Sequence, residues 1–358
     1  PISLSLLPYP PSHRTMALVA TGVHSRRLHR HLAEQHRRQH APGPWQTIAA
    51  MPVPSLPFPH TGVAAASTGH RQVLIPYAAM ADTDWQVQGA PLQLPHLDAV
   101  LAQLTPADTL GSDENDPTPP HERMAALWRG WADMAATRNI SLPWAALAAI
   151  TQPGCEAEGA GTASGAWAFM TPCHWTTGAD QIRLDNPADL QLTEPESRAL
   201  LALLSPWFAE DGFHLHYERP DRWLVHGPAL QALQSAALDR VLLRDVRHWS
   251  PDAGHHRTLQ RLHSEVQMLL YTHPFNDARA ERGQLPVNAF WLHGAGTLPA
   301  SRAPVSSPNP EVWETLRTPA LTGSHTQWLQ AWAALDAGPM ADLHRHLQAG
   351  GTATLALC

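Results

Sequence analysis

The chain has 358 residues, enough for two domains. Its formal net charge is -7 and all 24 basic side chains are arginine, a balance that argues against a general binder of nucleic acid or of anionic membrane. The hydrophobic share of 44% is that of an ordinary globular protein with a sizeable core.

Residues 1–70 are rich in Pro, His and Arg and show no sustained periodicity, so they read as an irregular segment that need not be the natural N-terminus. Within them "HSRRLHRHLAEQHRRQH" is basic, but no aromatic residues interleave it as a nucleic-acid surface would require. "QVLIPYAAMAD" opens with a short buried-strand pattern, Val73 to Ile75, which Pro76 breaks. "LPHLDAVLAQL" sets Leu94, Leu97, Val100, Leu101 and Leu104 on one helical face. The stretch 105–120, "TPADTLGSDENDPTPP", reads as a loop by composition, and "HERMAALWRGWADMAATR" after it as one helix.

"CEAEGAGTASG" reads as a linker, and "AWAFMTPCHWTTGADQIRL" as two strands around a Thr-Gly turn. "LTEPESRALLALLSPWFAEDG" carries the clearest helix signature: Thr193 as cap, Pro195 and Glu196 in the first turn, Gly212 past the end. "FHLHYE" and "RWLVHG" read as a hairpin. "HHRTLQRLHSEVQMLLYTHP" reads as a helix striped by Leu259, Leu262, Val266, Leu269 and Leu270 and stopped by Pro274. "LPVNAFWLHGAG" then reads as a strand ending in a Gly-x-Gly turn, either a hinge or an ordinary tight turn. The Trp-bearing segments "EVWETL" and "TQWLQAWAAL" read as helices, and the chain stops on the β-like run "TATLALC", which reads as a truncated C-terminus. Strands alternating with helices favour α/β layers.

Cys155, Cys173 and Cys358 are odd in number and match no CxxC pattern, which argues against a disulfide framework and for a reducing, cytoplasmic setting. No apolar run approaches the ~20 residues that span a bilayer.

Three blocks resemble a known family. "QVLIPYAAMADTDWQVQGAPLQLPHLDAVLAQL", "AWAFMTPCHWTTGADQIRLDNPADLQLTEPESRALLALL" and "HPFNDARAERGQLPVNAFWLHGAG" are similar to segments of the cofactor-independent phosphoglycerate mutases of the alkaline phosphatase superfamily. The third block is the most specific of the three. "MTPCHW", "WFAEDG", "LDRVLLRDV" and "EVQMLLYTHPFNDAR" resemble a bacterial subgroup of RpfE-type regulatory proteins more closely still. The resemblance implies an alkaline-phosphatase-like layered α/β core, 71–160 and 298–358, with a smaller α/β domain inserted at 161–297.

It also implies a chemistry: two Mn or Mg ions, a serine nucleophile, and arginines that hold phosphate. Where the family's first metal aspartate would stand, this chain has Ile75-Pro76-Tyr77, and neither proline nor tyrosine replaces a hard carboxylate ligand. Asp82 matches a nearby acidic position and is the candidate metal ligand, with a helix cap or a solvated carboxylate as the alternative. Ser112, in Gly111-Ser112-Asp113, is the candidate nucleophile, with a plain loop serine as the alternative.

Arg279, Arg282, Asn276 and Asn288 are the candidate contacts for a phosphorylated small molecule. Their alternative is local bonding to loop backbone and to Asp277 or Glu281. The resemblance therefore implies a mutase-like protein that is catalytically degenerate and regulatory or ligand-sensing. An active metal-dependent mutase or phosphomonoesterase is the second reading, and a structural partner protein a third.

Other candidates have plainer readings. Cys173 and His174 are adjacent on a strand, so they face opposite sides and read as a buried thiol and a satisfied histidine. His214 and His216 share a strand face but lack further zinc ligands. His344 and His346, at i,i+2 on a helix, diverge and read as a solvated surface.

Overall fold

A computed structural model describes residues 14–21, 69–79, 92–113, 115–155, 165–249, 257–299 and 310–358. The described residues form a mixed α/β structure with parallel and antiparallel strand pairs.

One sheet has five strands: β1 (Arg14–Thr21), β2 (His70–Ile75), β3 (Thr105–Asp113), β10 (Glu311–Val312) and β11 (Thr352–Leu357). Their order is β10-β2-β11-β1-β3. β2 runs parallel to β11 and β10, whereas β1 runs antiparallel to β11 and β3. The strand alternation divides the core in two. Val73, Ile75, Ala353 and Leu355 pack against α1 (Pro95–Leu101), α10 (His325–Leu335) and α11 (Ala341–Gln348). Leu74 and Ala356 face the other way and meet Met124 of α2 (Pro120–Trp128). Trp328 and Trp332 are buried in the first of these layers, so the tryptophans of α10 are core.

α1 has no side-chain cap of its own. Its free N–H groups are met by Asp336, whose Oδ1 accepts from Leu97 N at 2.8 Å and whose Oδ2 accepts from His96 N at 3.3 Å. Asp336 opens the π-turn that joins α10 to α11.

The second sheet has four strands in the order β7-β8-β4-β9: β4 (Trp167–Cys173), β7 (His214–Arg219), β8 (Arg222–His226) and β9 (Ala289–Gly296). Ala168, Met170, Trp223, Val225, Phe290 and Leu292 face α5 (Glu194–Glu210) and α7 (Arg257–Tyr271). Trp167, Phe169 and Leu224 face α4 (Trp144–Ala149). α5 has the cap read from sequence: Thr193 accepts from Glu196 N, and the Glu196 carboxylate accepts from Thr193 N at 3.1 Å.

Several expectations change. The stretch 105–113 is strand, not loop; pairing with β1 along the strand overrides its turn-prone composition. Residues 14–21, read as irregular, form β1. The single helix expected after Pro120 breaks at Gly130, whose φ of +79° admits a left-handed turn, and resumes as α3 (Ala132–Ala136). The "TPCHWTTG" hairpin begins only at β5 (Trp175–Thr177), paired with β6 (Ile182–Leu184), while β4 belongs to the larger sheet. Pro274 does more than stop α7: it starts α8 (Pro274–Glu281).

The Gly-x-Gly segment is not a turn. β9 continues through it, with Gly294 at φ +61° and Gly296 at φ +139°. Phe169 pairs with His293 and Trp167 with Gly296, so β9 carries an extra residue there, a bulge. A Cβ at Gly294 would lie 3.0 Å from the Phe169 ring and 3.3 Å from the Trp144 Cβ. The glycines let a bulged strand pass close under α4.

Among the described residues no helix is long and apolar enough to cross a membrane.

Candidate functional site

The residues singled out at α8 are brought together. The Asn276 amide donates to Leu270 O at 2.9 Å and to Val287 O at 2.7 Å, and its Oδ1 accepts from Val287 N at 2.9 Å. Asn288 pairs in the same manner with both backbone groups of Trp175, at 2.7 and 3.0 Å. Arg279 is fully buried; its guanidinium donates to Leu285 O at 2.9 Å, to Leu190 O and to Glu196 at 3.3 Å. Arg282 is half exposed and shares Glu196 with Arg279. The ion-pair partner of both arginines is thus Glu196, the capping residue of α5, and neither Asp277 nor Glu281. Arg279 and Arg282 thus lock α8 onto the start of α5, Asn276 ties α8 to the end of α7 and to Val287, and Asn288 ties the approach to β9 to β5.

Asp82 lies outside the described residues. Ser112 lies in β3, opposite Thr15 of β1, and its side chain is outside the described residues. Cys173 is buried, and burial holds its thiol well above the ordinary range. His174 Nδ1 lies 2.8 Å from Pro286 O.

A second constellation sits where the two sheets' surrounding elements meet. It begins at the end of β2. Tyr77 follows Pro76 with φ 60°, its carbonyl accepts from Trp328 Nε1 at 2.9 Å, and its ring lies 5.6 Å from that of His121. Burial, then the Asp239 carboxylate, raise its phenol well above the usual value, so it is neutral. His121 and Glu122 occupy the first turn of α2. His121 Nε2 lies 3.4 Å from Asp239 Oδ2. Asp239 is in the short helix α6 (Leu238–Val241), and Arg317 opens α9 (Arg317–Leu321).

Arg317 Nε donates to both Asp239 oxygens, at 2.9 and 3.2 Å, and Nη2 donates as well, so the guanidinium grips the carboxylate side-on. Burial would raise the Asp239 pKa, but Arg317 and His121 outweigh it and hold the group far below the carboxylate range. Arg240 donates to Asp113 O at 3.0 Å and ties α6 to the end of β3.

Around this pair the field is mixed. Burial lifts Glu122 to about 7, although Trp144 Nε1 donates to it at 3.0 Å. Burial also raises Glu314, against the pull of Arg317. His293 of β9 meets Thr171 Oγ1 at 3.0 Å and lies 5.3 Å from the Phe169 ring, over which Arg222 also sits at 4.2 Å. Burial and then Arg222 depress His293 to about 3, with Arg219 and Arg317 adding to the effect and Asp239 opposing it.

Side-chain exposures of 14% for His121, 11% for Asp239 and 18% for Arg317 show that these deep groups keep contact with solvent. They form a charged cluster that solvent reaches at its edge. A shallow cleft lined by Asn186, Leu242, Leu243, Thr318, Leu321 and Thr322 reaches Arg317 from one side.

Among the described residues this cluster offers no seat for a pair of hard cations, and the candidate ligand Asp82 lies outside them. The strand end carries the neutral Tyr77, Asp239 is already held by Arg317, and among the described residues no group of three or more His, Cys, Asp or Glu is placed to hold a metal. An arginine fork beside a solvent-reaching cleft suits a phosphate or carboxylate instead.

Sequence reading passed over His121, Glu122, Asp239 and Arg317. Its one local signal was the departure at Tyr77. "LDRVLLRDV", which holds Asp239 and Arg240, drew notice only as part of the resemblance.

No family model matches the chain, and no curated protein matches it. Among solved structures, the cofactor-independent phosphoglycerate mutase from Thermoplasma acidophilum DSM 1728 aligns at 15% identity over 80% of this chain and 89% of that one. The TM-score is 0.33, below the level at which two chains share a fold.

Proposed function

We propose that this is a phosphoglycerate-mutase-like protein, on an alkaline-phosphatase-like layered core, that binds a phosphorylated small molecule and acts in regulation or ligand sensing without phosphoryl transfer. The observation that carries the reading is the side-on pair of Arg317 with Asp239, beside His121, whose ring lies against that of Tyr77. The motif blocks at 72–104, 166–204 and 273–296 support the family part of the reading.

An incoming phosphate would compete with Asp239 for the Arg317 fork. Arg317 lies between β10 and β11 of the five-stranded sheet in sequence, and Asp239 between β8 and β9 of the four-stranded one. Exchange of partners would therefore change how the two sheets' elements are tied together, which is what a sensor requires. In this proposal Asn276, Arg279, Arg282 and Asn288 are the framework behind the site, and a cytoplasmic setting supplies the ligand.

The second reading is an active metal-dependent 2,3-bisphosphoglycerate-independent phosphoglycerate mutase or phosphomonoesterase using Ser112 and Asp82. Glu122 favours it, because a carboxyl near 7 is poised for acid–base work at neutral pH.

The deciding experiment pairs calorimetric titration of 3-phosphoglycerate with a coupled mutase assay, with and without Mn²⁺. The first reading expects binding without turnover, and Arg317→Ala weakening that binding by about 1.5–3 kcal/mol. Metal-dependent turnover that Ser112→Ala abolishes would replace it with the second. Binding untouched by Arg317→Ala would remove the Arg317 cluster as the site.

A further inference from the structure

The motif "DLHRHL" has a partner that sequence spacing did not show. His344 and His346 do diverge on α11. His346 Nε2 turns to the strand end, 3.0 Å from Gly69 O and 3.2 Å from Thr352 O. His344 turns the other way, to α1, where its Nδ1 lies 3.5 Å from the Nδ1 of His96.

We propose that His96 and His344 form a two-histidine site for a late first-row divalent cation, zinc, nickel or copper, joining α1 to α11. Two nitrogens bound ~2.0–2.1 Å from a tetrahedral zinc stand about 3.3–3.4 Å apart. The observed 3.5 Å is within a small side-chain adjustment of that. The rings are tilted by 56° with centroids 5.8 Å apart, so they meet through their nitrogen edges and do not stack.

The surroundings fix the pair. His344 Nε2 lies 3.1 Å from the Gln348 side-chain amide. The near atom is the amide nitrogen, which donates to Nε2 and leaves the proton of the neutral ring on Nδ1, toward His96. A bound cation displaces that proton, and a turn of the Gln348 amide then lets Nε2–H donate to its carbonyl, as in metal-binding imidazoles. The helices themselves are anchored. Leu97 and Val100 of α1 share a core with Leu343 and Leu347 of α11, and Asp336 holds the first turn of α1. Both histidines keep partial solvent exposure, so a hydrated ion can arrive and retain water as its remaining ligands. Imidazole donors select zinc, nickel or copper over magnesium or calcium.

The site lies on the helical layer over β2 and β11 and uses none of the groups in the Arg317 cluster, so it stands or falls separately from the function proposed above. A cation bridging two helices stabilises the folded state in proportion to its occupancy.

The test must separate this pair from the other histidines, since the chain has 23. Metal-free full chain would be melted with increasing Zn²⁺ and Ni²⁺, and Cu²⁺-loaded samples examined by electron paramagnetic resonance. The wild type should show a metal-dependent rise in Tm. His96→Gln and His344→Gln should each weaken the apparent affinity on the order of tenfold or more. The exposed His248→Gln should leave it unchanged. Copper spectra should lose one nitrogen coupling in either variant, a readout that does not depend on their stability. An unaltered metal response in either His96→Gln or His344→Gln, or no response in the wild type, would overturn the site.

Discussion

Asn276 shows how a residue can be conspicuous in sequence for one reason and matter for another. Its place in "HPFNDAR" suggested ligand contact. In the fold it is 8% exposed, and its amide makes three bonds to the backbone of Leu270 and Val287. Replacing it with alanine takes the side-chain partner from both backbone groups of Val287 and leaves the Leu270 carbonyl only the His273 N–H at 3.4 Å, at a cost of about 2–4 kcal/mol. Urea denaturation of Asn276→Ala should show that loss, and a midpoint within error of the wild type would refute it. The partners were not legible because they are backbone groups, which carry no sequence signal. The Asp239 site was hidden for a related reason: His121, Asp239 and Arg317 come from three remote stretches, and each alone reads as an ordinary surface charge. Tyr77 was legible, because a strand end is a fixed place and the residue there is plainly not a carboxylate.

At the scale of elements, periodic segments were read well and special backbone was not. The capped helix α5, the striped helix α7 and the β7–β8 hairpin all follow local rules that act within a few residues. β3 did not follow its composition, because its pairing with β1 is decided by a strand far away in sequence. The glycines of β9 signalled an unusual backbone, but a turn and a bulge call for the same residue type. The distinction has a measurable consequence. In an open turn alanine at Gly294 would meet only the left-handed backbone strain, about 1 kcal/mol. At φ +61°, with a Cβ 3.0 Å from the Phe169 ring, Gly294→Ala should destabilise further, by up to about 3 kcal/mol. The second substitution that tests this is Phe169→Leu. By removing the ring that crowds the new Cβ, it should recover part of the loss in the double variant, whereas additive effects would show that crowding plays no part.

At the scale of the whole molecule, burial leaves titratable groups at odds with their solution values, and their pH dependences oppose one another. Glu122 stands on α2, which packs on the five-stranded sheet, and takes its indole bond from Trp144 of α4, which packs on the four-stranded one. Burial raises its pKa from 4.5 to about 7. The folded chain therefore keeps a proton that the unfolded chain releases. This contribution to stability is complete below about 4.5 and is lost as pH rises toward 7. His263 and His293 act in the other direction: burial lowers them from 6.5 to about 4 and about 3. The fold keeps both neutral while the unfolded chain takes up protons, so their contribution is complete above about 6.5 and is lost as pH falls. Between about 4.5 and 6.5 Glu122 offsets part of what the two imidazoles lose. Glu122→Gln keeps the shape and the acceptor for Trp144 but removes the titration. The variant should gain on the wild type at pH 8, where the wild type must bury a charge, and lose that gain at pH 5, where the carboxyl is already protonated. Urea unfolding of both proteins at the two pH values measures the difference directly. A gap between them that is equal at pH 5 and pH 8 would mean that Glu122 titrates as it does in water, and the junction it shares with Trp144 would then be open to solvent.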